Sequence, residues 1–155
     1  MNKWIFLSLL VSAGAAASGA DTTSCSVVVC SPGDKAVTYA TKSDFYYACP
    51  TRELADYTNT VAGLSVMTYQ ISGKLPNISP ETGEPQYQGD SKLLLDSLRK
   101  KSGVRTFDEA LSACMQGKGK LKVTIMNIED NEGSVWVSQE NKIQFWLPKS
   151  FLIKR

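Results

Sequence analysis

Two hydrophobic periods alternate along this chain, and the places where one gives way to the other predict its elements. After the turn residues Ser31, Pro32 and Gly33, Lys35 to Tyr39 alternates apolar and polar positions and predicts a strand, and a second extended piece covers Asp44 to Ala48. From Thr51 to Gln70 the spacing becomes helical, with Leu54, Tyr57, Val61, Leu64 and Ile71 recurring on one stripe. Pro50 opens that helix where a missing amide costs nothing. Tyr57 and Met67 are candidate ligand contacts on it, with core packing as the competing role.

Between Ser72 and Gly89 both periods disappear. Gly73, Pro76, Pro80, Gly83, Pro85 and Gly89 punctuate a polar stretch in which only Leu75, Ile78 and Tyr87 are available to bury. A structureless loop of this length is uncommon in a compact domain, and serves either as a contact surface or as a tolerated insertion. The triplet Asn77, Ile78, Ser79 has the form of a glycosylation acceptor. Ser91 then caps a second helix carrying Leu93, Leu94, Leu95 and Leu98, which ends in Arg99, Lys100, Lys101 and the stop Gly103. A third helix starts at Thr106 and Glu109, which have capping-box spacing, and continues through Leu111, Cys114 and Met115 until Gly117 and Gly119.

The remaining chain returns to a period of two. Leu121, Val123 and Ile125 share one face of a strand, and the acidic turn Glu129 to Glu132 with Gly133 leads into Ser134 to Ser138. A three-residue hairpin loop of Gln139, Glu140 and left-handed Asn141 then sets Val135 and Val137 on one face with Ile143, Phe145 and Leu147. Trp136, Gln144 and Trp146 fall on the other face, whereas a two-residue loop would mix Trp136 with Ile143 and Phe145. Pro148 ends this strand, and Phe151 to Lys154 forms a last short one.

Before the first of these elements, Lys3, the apolar run Trp4 to Val11 and the small residues Ser12 to Ala20 have the layout of an export signal. Cleavage after Ala20 fits best, and after Ala17 is the alternative. The apolar run is shorter than the ~20 residues a bilayer span needs, so no membrane insertion is expected once the signal is cut. The expected organisation is therefore a signal peptide, residues 1–20, and a single periplasmic or secreted domain, residues 21–155.

That address changes how the four cysteines are read. An even number in an exported chain implies a disulfide framework. Of the three possible pairings we favour Cys25 with Cys30, closing a small loop around Val27 to Val29, and Cys49 with Cys114, tying the middle of the chain together. In the chain-entropy model the longer loop is worth about 4 kcal/mol and the shorter about 2. A structural metal is not expected, because the chain has no histidine and lacks paired C-x-x-C knuckles.

Charge and chemistry narrow the function classes. The chain holds 17 Lys and Arg against 15 Asp and Glu, and its one dense basic cluster, Arg99 to Lys101, sits where a helix dipole favours cations. No nucleic-acid partner is expected from that balance. The absence of histidine excludes Ser-His-Asp, Cys-His and His-metal arrangements, and no phosphate loop, dinucleotide fingerprint or calcium loop is present. The carboxylate pairs Glu53 with Asp56 and Asp108 with Glu109 have a structural reason to stand at helix N-termini. A non-enzymatic protein without cofactors is the expectation.

Gly119 to Ile125, then Gly133 to Val137, then Phe145 to Leu152 resembles the second half of a bacterial SH3-like domain, in which a strand leads into a hairpin, a short helical turn and a closing strand. The chain departs from that family in having Phe145 where a glycine usually precedes the aromatic, and in drawing its first strands from before Cys49. The resemblance implies an α+β fold, a small SH3-like antiparallel barrel carrying about three helices as an insertion over residues 50–115, with the Cys49–Cys114 bond joining the insertion's ends. SH3-like domains commonly bind peptides through exposed aromatics, so Trp136 and Trp146, with Tyr46, Tyr47 and Phe151, are the candidate binding residues. The competing role for the two tryptophans is to form the surface on which the inserted helices pack. Two functions follow: an envelope binding module recognising a partner protein or cell-wall peptide, of inhibitor or immunity type if the 72–89 loop acts as a plug, or a structural subunit of an envelope secretion or conjugation assembly.

Overall fold

The computed structural model describes residues 23–129 and 133–155. The expected signal, residues 1–20, and Asp130 to Glu132 of the acidic turn lie outside these. The fold is α+β, with strands β1 (Lys35–Thr38) and β2 (Tyr47–Ala48), helices α1 (Arg52–Ser72), α2 (Gly89–Ser102) and α3 (Phe107–Ala113), then β3 (Met115–Gln116), β4 (Lys122–Asn127), β5 (Ser134–Gln139), β6 (Gln144–Pro148), a 3-10 turn (Lys149–Phe151) and β7 (Leu152–Lys154).

The main sheet has the order β6-β5-β4-β1-β7, antiparallel throughout, and β2 pairs with β3 separately. It does not close into the expected barrel, because each end strand is covered by a neighbouring segment instead of by the other end. On β7, Cys25 N–H donates to Leu152 O and Lys154 N–H to Thr23 O, both at 2.9 Å. On β6, Trp146 N–H donates to Cys49 O at 2.8 Å and Cys49 N–H to Trp146 O at 3.1 Å. Edge groups satisfied in this way leave no demand for closure.

The period of two in β4, β5 and β6 decides which residues form the sheet's core. Val123, Ile125, Val135, Val137, Phe145 and Leu147 are buried together with Ala36, Tyr46 and Leu152. Each large apolar side chain removed from water contributes about 1.5–3 kcal/mol. The β5–β6 loop is three residues long but lies one residue later than expected. Gln139 N–H donates to Ile143 O at 2.8 Å, so Glu140, Asn141 and Lys142 form the loop, and Lys142 takes the left-handed conformation at φ 66°. Asn141 accepts from Ile143 N–H through its side chain at 3.2 Å. The shift pairs Trp136 with Trp146 and Val137 with Phe145, where the expected register would set Trp136 against Gln144. Cross-strand aromatic contact favours the observed pairing. The division between faces is unchanged, except that Ile143, at the sheet end, is 48% exposed and outside the core.

The helices form a second cluster beside the sheet: Leu54, Ala55, Tyr57, Val61, Leu95 and Ala110, with Cys49 and Cys114. Thr51 caps α1, accepting from Leu54 N–H at 3.3 Å, and Pro50 precedes the cap instead of opening the helix. The apolar stripe of α1 is core only as far as Val61; Leu64 is half-buried and Ile71 is 79% exposed. Ser91 does not cap α2, because the helix starts at Gly89 and Ser91 lies within its first turn. Leu95 and Leu98 face the cluster, while Leu93 and Leu94 are exposed. Thr106 caps α3 as its spacing implies, accepting from Glu109 N–H at 3.2 Å, while the Glu109 carboxylate reaches Arg105 N–H. Both favoured disulfides, Cys25–Cys30 and Cys49–Cys114, are present. The second joins the sheet's edge to the end of α3, so the three helices leave and return at one place.

Candidate functional site

The five candidate aromatics do not form one surface. Tyr46 and Tyr47 are neighbours on an extended segment, where successive side chains point to opposite sides. Tyr46 turns into the sheet's core and is fully buried, stacked near Phe145 and tilted against Phe151, and its hydroxyl donates to Lys118 O at 3.0 Å. Burial pushes its phenol above the ordinary value, and the side chain belongs to the sheet's core instead of to an exposed surface. Tyr47 instead packs towards the helical cluster, with its N–H donating to Asn59 Oδ1 at 2.8 Å.

Trp136 and Trp146 do come together. Their rings stack at 6.2 Å with a 12° interplanar angle, and with Pro50 and Gln144 they line a shallow hollow of about 380 Å³. Both are half-buried, and Trp146 packs against the helical cluster. The pair is thus partly the helices' packing surface and partly open.

A larger hollow, of about 590 Å³, lies between α1 and the rim of the sheet. On the α1 side it is lined by Asp56, Asn59, Gly63, Val66, Met67 and Gln70, which share the helix face opposite the buried Leu54, Tyr57 and Val61. The opposing residues are Ser43, Asp44 and Phe45 from the segment before β2, and Pro148, Ser150 and Phe151 around the 3-10 turn. Phe45 meets Tyr47 edge-on at 5.6 Å, which fixes its ring at the rim. Asp56 accepts from Ser134 Oγ at 2.5 Å and ties the helix to the start of β5. Gly63 faces open space, since a Cβ there would meet nothing within 4 Å. Val66 and Met67 are 42% and 49% exposed, which leaves apolar surface along the groove.

The 72–89 loop folds back on its own helices instead of projecting as a free plug. Glu84 at its centre is 5% exposed, accepts from Tyr57 Oη at 2.6 Å and is paired with Arg99, which also binds Asp96 at 2.7 Å. Burial first and the Glu84 carboxylate second push the Tyr57 phenol far up, so it remains a donor. Tyr87 Oη lies 2.6 Å from Thr68 Oγ1 and donates to Leu64 O at 2.9 Å, and Phe107 N–H donates to Thr82 O at 2.7 Å. Arg99 therefore serves a buried ion pair and not the helix dipole alone, and Leu75 and Ile78 are the loop's exposed apolar residues.

Of the candidates, Phe151 and the singled-out Met67 line the larger groove, and Tyr57 is core. Asp44, Phe45, Gly63 and Val66 lay unrecognised, as did Glu84. Periodicity does mark the face carrying Gly63, Val66 and Gln70 as the one opposite the core stripe, which was the available signal. Among the described residues no cluster of three or more Cys, Asp or Glu side chains could hold a metal ion, and no helix is long and apolar enough to cross a membrane. The two disulfides are compatible with a secreted protein. No protein-family model matches the chain, and no curated protein or solved structure matches it.

Proposed function

We propose that this protein is an extracytoplasmic binding module that takes an extended segment of a partner protein in the groove between α1 and the rim formed by Phe45 and Phe151. One observation carries this: a groove of about 590 Å³ is lined by Val66, Met67 and Phe45 and floored on the sheet side by Phe151, which packs on the sheet's core. Concave apolar surfaces with a few polar groups are where ligands are taken up. The sheet supplies the fixed side of the site. Its order, with β1 between β4 and β7, the β4-β5-β6 meander and a 3-10 turn before β7, supports reading it as an open SH3-like barrel whose first connection carries the helices.

The test is a photo-crosslinking residue at Val66 in the full-length protein, in cells that produce it, with a second at the exposed Lys101 as control. A discrete protein adduct from position 66, absent from position 101 and lost when Gly63→Leu fills the groove, is the expected result. An adduct of cell-wall fragment mass would replace the partner protein by a wall peptide, and no adduct at position 66 would overturn the proposal. Gly63→Leu leaves the fold intact because its side chain enters open space on a helix where glycine is unfavourable.

A further inference from the structure

We propose that the groove selects a cationic segment, in which a lysine or arginine side chain flanked by apolar residues is seated at Asp44 and the Phe45 ring; this rests on the binding role assigned to the groove above. Charge complementarity points to that occupant. The chain carries more Lys and Arg than Asp and Glu, yet the groove is lined by two carboxylates, Asp44 and Asp56, and by no lysine or arginine. Among the lining side chains an acidic segment would meet two of like charge and a basic one none.

The two aspartates differ in what they can offer. Asp56 already accepts from Ser134 Oγ at 2.5 Å and anchors α1. Asp44 is exposed at the rim, and its backbone is fixed by a tight turn. Thr41 N–H donates to Asp44 O at 2.7 Å, and Asp44 N–H donates to Thr41 Oγ1 at 3.0 Å. A carboxylate on a rigid turn loses little freedom when it meets a cation. Phe45 follows it in the chain and also lines the groove, so an aromatic side chain stands in the same hollow as the carboxylate. Val66, Met67 and Phe151 provide the apolar contacts for the flanking residues.

Three capped peptides on one apolar frame, Gly-Leu-Leu-X-Leu-Leu-Gly with X as Lys, Gln or Glu, test this by titration into the isotope-labelled, oxidised mature protein, read from backbone amide shifts. The expected result is binding in the order Lys, Gln, Glu, with about a fivefold step from Gln to Lys, and shifts centred on Val66, Met67 and Phe151. Asp44→Asn should abolish the Lys-over-Gln step, and raised salt should shrink it. Equal binding of all three peptides at the groove overturns the charge selection and leaves the binding role standing. Shifts centred elsewhere, or none with any peptide, overturn both.

Discussion

Replacing Arg99 with methionine should destabilise the protein far more than its place on a helix surface suggests. Its side chain is 20% exposed and faces Glu84, whose side chain is 7% exposed. Removing one partner of a buried ion pair leaves an uncompensated charge, at a cost of about 3–5 kcal/mol. The low end applies here, because Arg99 reaches water at one side and Tyr57 Oη still donates to Glu84 at 2.6 Å. A loss of about 3 kcal/mol corresponds to roughly 10 °C in Tm for a domain of this size. Glu84→Gln added to Arg99→Met removes the stranded charge, so the double variant should recover about 1–2 kcal/mol of that loss. Urea unfolding of the oxidised protein, followed by far-UV circular dichroism, measures both. A loss below about 1 kcal/mol, the value of an exposed pair, or a double variant no more stable than Arg99→Met, would refute the view that Glu84 is held as a buried charge.

Other predictions concern the rest of the framework. Removing Cys49–Cys114 by paired serine substitution should cost about 4 kcal/mol and removing Cys25–Cys30 about 2, and thermal unfolding of the two variants should rank them in that order. Gly117→Ala should cost about 1–3 kcal/mol by denaturant unfolding, because its Cβ would overlap the buried Tyr46 ring. Titration should narrow stability at both ends of the pH scale. Hydrogen bonds from Lys154 to Asp34, from Lys92 and then Arg99 to Asp96, and from the Arg105 backbone to Glu109 lower those carboxyl pKa values, so the stability they add is present above about pH 4 and is lost as the pH falls through the folded values. Tyr57 and Tyr46 are shifted the other way, so their contribution is complete below about pH 10 and drains as the pH rises; Tyr57→Phe should flatten the alkaline limb of a stability-against-pH curve.

The strands were the most legible elements, because a period of two written as Val123, Ile125, Val135, Val137, Phe145 and Leu147 assigns a face without any knowledge of the partner strand. The hairpin shows where that information ends. Moving the pairing by an even number of residues keeps every side chain on its face, so patterning alone could not tell Trp136 opposite Gln144 from Trp136 opposite Trp146. Helix stripes carried less. Ile71 continues the spacing of Val61 and Leu64, but α1 outruns the residues that cover it, so the stripe leaves the core with no change in pattern. Glu84 gave no signal at all, since a lone acid among prolines and glycines looks solvated until Tyr57 and Arg99 are brought to it from two different helices.

The groove follows from the same mismatch of length. The amino-terminal half of α1 is buried against the sheet's edge and the other helices, where Cys49 and Asn59 hold it to Trp146 and Tyr47. Its second half continues beyond that support, with Tyr87 bracing one side through Leu64 and Thr68. Phe45 and Phe151 are among the groups on the opposite side, and the space between is the groove. A helix ending near Val61 would bury nearly as much of its core stripe without exposing Val66, Met67, Tyr69 and Ile71, which are 42–79% exposed. Leu64 and Thr68 account for part of the extra length by holding Tyr87, while the face carrying Val66 and Met67 stays open. If the proposed binding role holds, the groove-lining Gly63, Val66, Met67 and Gln70 are the positions where substitutions should alter binding while leaving unfolding nearly unchanged.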